Sequence, residues 1–340
     1  MDDLLDVIIV GYGFAGRIHA KTHRNLTGSC RLAGIVECCR DLHPDIEQQF
    51  SGVEIFESLE QALLKIKGNV VVDLCVPAPQ NIALVKSIVA FGVQRVMLEK
   101  PLGWSLPMAM TLAEILSDKE AVYLDTYQFS LGVEQLKNWV AREQSDIDRV
   151  HIRFNKNRIA ESFNGRGFEK DMPPDAWHTE GPHMVTIAMK IAGEILAIKE
   201  ASLHDMSHNG NVLANHGCAR AIVSHSNGVD TTLITDLCSD ENERVVEVFL
   251  KNQVCLRLQL PVSKSTRLVS TIEKIDSGRV VDSSIIEDRP MEQCVSHSID
   301  YFLTRNTHVK LIEHGVRINQ ILHELTEASD QQVYCDLIAG

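Results

Sequence analysis

The feature that most constrains this 340-residue chain lies at its front. Val7-Ile8-Ile9-Val10 is a short, wholly apolar strand that runs straight into Gly11-Tyr12-Gly13-Phe14-Ala15-Gly16. A G-x-G-x-x-G turn between a strand and a helix has a well-defined physical use. Gly11 permits the tight turn, Gly13 lets backbone approach a pyrophosphate, and Gly16 lets the helix pack against the sheet. The helix start, from Phe14 and Ala15, adds N–H donors and a partial positive charge for the phosphates. Glycines also mark ordinary turns, so the weight of the motif depends on the next hundred residues.

Those residues alternate regularly between helix and strand. A helix over 15–26 leads to a strand over 31–36 that ends at Glu37. A short strand over 53–56 precedes a helix over 58–66, opened by Ser58 with Gln61 at capping-box spacing. The strand over 70–76 is continuously apolar except for Asp73. The helix over 81–91 stops at Gly92. A strand over 95–98, a helix over 106–116 and a strand over 121–124 complete the series. Fully apolar strands separated by helices predict a parallel sheet covered on both faces. Near residue 125 the texture changes. After a helix over 131–142, alternating segments at 150–154, 219–224, 231–237, 244–250 and 253–260 predict half-buried strands. Helices are expected over 182–191, 294–302 and 315–328. The expected architecture is α/β throughout. A Rossmann domain spans 1–124, and an α/β domain with a large, mainly antiparallel open sheet spans 125–340.

Glu37 sits where such a domain holds the adenosine ribose, at the end of the second strand and about 20 residues past the motif. A carboxylate there repels a 2′-phosphate and favours NAD. Arg40 is near enough to pair with that phosphate and keep NADP open. Cys38 and Cys39 flank this position, and their adjacency disfavours a mutual disulfide.

Composition excludes several partners. The formal net charge of −13 repels nucleic acid and anionic membranes. Nine cysteines, an odd number with no C-x-x-C pair, argue against a disulfide framework or a metal site and for a reducing compartment. The acidic start Met1-Asp2-Asp3 is unlike a signal peptide, and no apolar run approaches the ~18 residues of a membrane span. A cytoplasmic location is expected.

A second motif gives these features a family context. Val96-Met97-Leu98 leads into Glu99-Lys100-Pro101, and E-K-P at a strand end after a Rossmann motif resembles the glucose–fructose oxidoreductase/inositol dehydrogenase (Gfo/Idh/MocA) family. The stretch from Asp73 to Pro79 is similar to the strand and T-P-x-x-x-H turn before it, with Asn81 in the histidine slot counted from Pro77. Tyr127-Gln128-Phe129-Ser130 resembles the segment that opens the family's second domain. Gly181-Pro182-His183 resembles the D-x-G-x-H helix start. The resemblance implies hydride transfer between NAD(P) and the carbinol carbon of sugars, cyclitols or related compounds. It assigns Lys100 to the reacting oxygen and His183 to acid/base work. Pro77, Asn81, Glu99, Lys100 and Gln128 then join the cofactor contacts, and a homodimer or homotetramer built on the open sheet is implied. The lysine–proline bond of the triplet is often cis in the family, and the same is expected of Lys100–Pro101.

The chemistry agrees. Alcohol oxidation needs a base for the hydroxyl proton, and histidine titrates near neutrality. An ammonium stabilises a developing alkoxide. One departure stands out. The family's aspartate four residues before the histidine falls at Thr179, and the position three residues after it is Thr186. Glu180 could replace the missing acid. The position one helical turn beyond Asp175 is again Thr179, so no histidine–aspartate pair is expected there. Tyr127, Trp177, His178 and Thr179 are candidate substrate-lining residues. Two other readings remain open: reduction of a C=N bond, which does not need the polyol-binding aspartate, and a non-catalytic NAD(P) sensor or scaffold.

Overall fold

A computed structural model describes residues 4–164, 174–262, 268–305, 309 and 311–339, with side chains described to residue 330. The chain divides into two compact units. The first comprises residues 1–126 and 291–319, the second 127–290 and 320–340. The sequence pattern assigns everything after 125 to one domain, but residues 291–319 pack into the first unit. The reason lies in long-range pairs. Arg305 binds Glu120, His314 Nε2 meets Asp125 Oδ2 at 2.7 Å, and Leu311 bridges to Val122.

The first unit is built on a parallel six-stranded sheet. Its strands are β1 (Leu5–Val10), β2 (Cys30–Val36), β3 (Glu54–Phe56), β4 (Val70–Leu74), β5 (Arg95–Glu99) and β6 (Glu120–Leu124). The order is β3-β2-β1-β4-β5-β6, the doubly wound Rossmann arrangement. Residues 7–10, 71, 72, 74 and 96–98 are buried, as strands covered on both faces require. Ser58 caps the helix Leu59–Lys65 by accepting the Gln61 N–H, as its spacing predicts.

The second unit carries an eight-stranded sheet. Its strands are β7 (Ile147–Asn157), β8 (Ile195–His208), β9 (Asn211–His225), β10 (Asp230–Asp236), β11 (Cys238–Leu250), β12 (Cys255–Gln259), β13 (Val269–Asp276) and β14 (Arg279–Glu287). The order is β14-β13-β12-β11-β7-β10-β9-β8, antiparallel except for the β10–β7 pair. Along β7 and β10 buried residues alternate with partly exposed ones, the period-2 pattern of a sheet with one face on a core. The helix Ala176–Ala192 packs on this sheet with nearly every residue buried. Asp175 opens it, accepting the His178 N–H, so the helix starts six residues before the Pro182 start expected from the sequence. Among the described residues no helix is long and apolar enough to cross a membrane.

Candidate active site

The motif glycines occupy the turn between β1 and the helix Phe14–Asn25. Each has a different reason to be glycine. Gly11 has φ +92°, and a Cβ there would lie 2.7 Å from the Cys75 carbonyl oxygen. At Gly16 a Cβ would lie 2.0 Å from the Gly11 carbonyl oxygen. Both positions are closed by the protein's own backbone. Gly13 differs: a Cβ there meets nothing within 4 Å. Space is kept beside Gly13 at the N-terminus of a helix, where N–H groups and the helix dipole attract an anion. Phe14 is exposed and Ala15 half-buried in the first turn of that helix.

Glu37 continues the site at the end of β2. Its Oε2 accepts the Tyr12 N–H at 2.9 Å and its Oε1 accepts the Cys39 N–H at 2.8 Å. These bonds tie the carboxylate to the glycine loop. Each oxygen keeps acceptor capacity for a further donor. Arg40 points elsewhere: its guanidinium donates to the Ile55 carbonyl. That bond uses one of the guanidinium's five N–H donors and holds the side chain against β3. Cys38 and Cys39 are exposed, with sulfurs 3.7 Å apart and unbonded.

At the end of β5, Glu99 Oε2 accepts the Lys100 N–H at 3.1 Å, and the Lys100–Pro101 bond is cis. Lys100 is half-buried. Pro77 precedes a short 3-10 turn, Ala78–Gln80. Asn81 is buried, and its amide donates to the Leu102 carbonyl at 3.3 Å. Its amide braces the loop after the triplet, while its buried Oδ1 makes no hydrogen bond among the described residues.

In the second unit His183 is buried against two rings. It stands edge-on to Tyr127, with centroids 5.0 Å apart, and is tilted against Phe154 at 6.4 Å. Tyr127 in turn accepts from Arg244 through its hydroxyl at 2.8 Å, although burial raises its pKa. Glu180, three residues before His183, is buried between cations. Lys156 binds its Oε1, and Arg244 Nη2 lies 3.6 Å from its Oε2. Burial pushes the Lys156 pKa down against the pull of Glu180, while Arg244 stays charged. Glu180 is thus a carboxylate one turn before His183, the position next to the family's missing aspartate, and it is held there by Lys156 and Arg244.

Asp175 pairs with a histidine three residues on, a spacing shorter than the full turn that leads to Thr179. Its Oδ1 meets His178 Nδ1 at 2.8 Å, three residues on, while its Oδ2 accepts the Thr326 hydroxyl. Burial raises the Asp175 pKa, but the His178 bonds outweigh it and the net shift is downward. The one-turn spacing from Asp175 leads to Thr179 and misses this pair, because a helix cap reaches its third residue. Thr179 instead donates its hydroxyl to the Asp175 carbonyl. Trp177 is fully buried and its indole N–H reaches Ser329 at 3.4 Å, so it packs the core and does not line a pocket. Gln128 offers its carbonyl to Lys190 at 2.6 Å.

The sheet order, the glycine turn and Glu37 define a Rossmann dinucleotide-binding protein. Residues 5–127 match the GFO_IDH_MocA family model, described as an oxidoreductase family with an NAD-binding Rossmann fold. Over that stretch the chain is similar to the NAD-binding Rossmann domain of these oxidoreductases. Solved structures extend the likeness of fold over both units. An oxidoreductase from Desulfitobacterium hafniense is 14% identical with a TM-score of 0.79, covering 98% of this chain and 97% of that one. A levoglucosan dehydrogenase solved with NADH and levoglucosan is 13% identical with a TM-score of 0.76, covering 96% and 97%. A myo-inositol dehydrogenase from Corynebacterium glutamicum is 13% identical with a TM-score of 0.71, covering 97% of each. No curated protein matches the chain.

Proposed function

We propose that this protein is an NAD(P)-dependent oxidoreductase acting at the carbinol carbon of a sugar, a cyclitol or a related small molecule. The observation that carries the reading is the division of labour among the three glycines. Gly11 and Gly16 are closed by backbone, whereas Gly13 keeps open space at a helix N-terminus. The turn glycines Gly28, Gly52, Gly68 and Gly92 are as open but owe their identity to a positive φ, whereas Gly13, at φ −71°, needs glycine for neither packing nor backbone conformation. The loop would hold the pyrophosphate, and Glu37 would accept from the ribose hydroxyls. When bound, the nicotinamide supplies the hydride donor or acceptor. His183 takes or returns the hydroxyl proton. Lys100 stabilises charge on the reacting oxygen. The levoglucosan and myo-inositol dehydrogenases of like fold support a polyhydroxylated substrate class.

Glu37 makes NAD the preferred cofactor in this reading. Titration of the protein with NADH and NADPH, followed by fluorescence, tests it. NADH binds more tightly, and Glu37→Ser narrows the gap by roughly ten- to a hundredfold, the worth of one charge-assisted hydrogen bond. Tighter NADPH binding by the native protein would overturn the preference. Binding of either cofactor with no turnover across a panel of polyols, ketoses and cyclic imines would favour a sensor.

A further inference from the structure

Asp73 interrupts an otherwise apolar run in β4, and the dinucleotide reading gives it no role. Its side chain is fully buried among ring nitrogens and sulfur. His19 Nδ1 lies 3.0 Å from Asp73 Oδ2 and 3.1 Å from Cys75 Sγ. Cys75 Sγ is 3.7 Å from Asp73 Oδ1, and His23 Nε2 is 2.8 Å from Asp73 Oδ2. The donor atoms of His19, Asp73 and Cys75 all lie within 4.8 Å of one another.

We propose that His19, Asp73 and Cys75, with His23 alongside, form a binding site for one divalent cation of the zinc class. The case begins with valence. A ring nitrogen has either one proton or one lone pair. His19 Nδ1 therefore serves either Asp73 Oδ2 or Cys75 Sγ, and the thiol is left with a long 3.7 Å bond to Asp73 Oδ1. A cation at the meeting point serves all three. The donor set selects the metal, because imidazole, thiolate and carboxylate together suit zinc or cobalt, whereas magnesium and calcium take oxygen donors. Bond lengths of about 2.0–2.3 Å in a tetrahedron require donors roughly 3.3–3.7 Å apart. The cluster needs to open by only a few tenths of an ångström.

The surroundings fit as well. His19 Nε2 lies 3.1 Å from Glu99 Oε1, the carboxylate–imidazole contact that orients metal-bound histidines. Both atoms are buried and neither makes a well-aligned hydrogen bond, so a small ring rotation is still available to improve the contact. The His23 ring nitrogen Nδ1 lies 3.8 Å from Cys30 Sγ, which fixes the second histidine. Two carboxylates, those of Asp73 and Glu99, are buried here, and a dication offsets the cost of holding them out of water. Of the three donor residues, Cys75 alone is partly exposed, and its carbonyl packs against Gly11.

Cobalt(II) titration of chelator-stripped full-length protein tests the proposal without any enzymatic assay. A Cys38→Ser/Cys39→Ser background removes the exposed pair, which with Glu37 forms a second group of potential donors. On that background one equivalent of cobalt is expected to bind, with a thiolate-to-cobalt charge-transfer band in the near ultraviolet. Zinc displaces the cobalt and raises the melting temperature. Adding Cys75→Ser, a near-isosteric change, abolishes the band and weakens binding at least tenfold, with the far-ultraviolet circular dichroism unchanged. The proposal is overturned if cobalt binds only when Cys38 and Cys39 are present. It is equally overturned if the band survives Cys75→Ser, or if the background protein takes up no metal. In that last case the cluster is a proton-sharing network.

Discussion

The two units each bury an ionic cluster, and the clusters are opposite in kind. In the first unit, Asp73 and Glu99 face imidazoles, whose charge depends on a proton. In the second, Glu180 faces the ammonium of Lys156 and the guanidinium of Arg244. Burial costs a carboxylate several kcal/mol unless a partner compensates it. Fixed cations compensate permanently and lock the site in one state. Histidines compensate conditionally and leave the cluster open to a proton or a metal ion. Two clusters of similar burial can therefore serve different ends, one bracing the helix that carries His183 and the other remaining adjustable beneath the glycine loop.

Two residues three apart on one helix put this contrast at most risk. His183→Ala should lower turnover about 10²–10⁴-fold, the usual worth of general acid–base catalysis, with cofactor dissociation unchanged. If His183 is the titrating base, the pH-dependent limb of oxidation vanishes with it. Glu180→Gln should act on stability. It leaves Lys156 and Arg244 without their counter-charge, and breaking a buried pair costs about 3–5 kcal/mol. Thermal or denaturant melting measures that loss, and the surviving folded fraction should keep the native pH profile. A Glu180→Gln variant that melts normally but loses its pH dependence would show that the bracing role is wrong and that Glu180 does exchange protons.

Acid titration extends the contrast. His216 and His225 in the second unit are held neutral. Burial lowers both pKa values, although each ring donates through Nδ1 to a carbonyl, of Pro174 and Gly193 respectively. The hydroxyls of Ser162 and Thr231 complete the two Nε2 positions. Asp175 is likewise depressed in the folded state. A group whose pKa falls on folding contributes stability that is fully present above its unfolded value and lost as pH drops through the folded value. The second unit should therefore lose stability in two stages, below about pH 6.5 through the histidines and below about pH 3.9 through Asp175. Hydrogen exchange at pH 7 and pH 5, each corrected for intrinsic exchange, should show falling protection in β9 and β10 around His225. Unchanged protection there would mean that the rings tolerate their charge.

The sequence disclosed the first unit better than the second, for physical reasons. Parallel strands buried on both faces are continuous apolar runs, and β1, β4 and β5 announce themselves that way. The roles of Gly11 and Gly16 follow from the motif spacing and hold in the packing. Contacts made across long loops leave no local trace. His19 and Asp73 are 54 residues apart, and no spacing rule joins them. The same is true of Glu180 and Lys156, and of Arg305 and Glu120. Pro182 misleads in a different way. Proline favours a helix start, yet here it lies inside Ala176–Ala192, where the Asp175 cap and burial of nearly every residue outweigh the lost N–H. A neighbouring motif points Trp177 toward a ligand, while its fully buried side chain packs in the core.

The smallest stability effect should come from the position that matters most for binding. Gly13 caps the helix Phe14–Asn25 with φ −71°, a value that alanine adopts freely, and its Cβ would meet nothing within 4 Å. Gly13→Ala should then cost no more than about 1 kcal/mol, the modest difference between glycine and alanine at a helix cap. Gly16→Ala, by contrast, drives a Cβ to 2.0 Å from the Gly11 carbonyl oxygen, so backbone must move and the melting temperature should fall clearly. The two variants separate packing from binding. If the space beside Gly13 is reserved for a dinucleotide, the methyl group occupies it, and NADH affinity should drop tenfold or more while melting stays near native. Parallel melting and NADH titration of the two variants would decide the matter. Native NADH affinity in Gly13→Ala would mean that the pyrophosphate does not approach this backbone, and the reading of the loop as a phosphate cradle would fail with it.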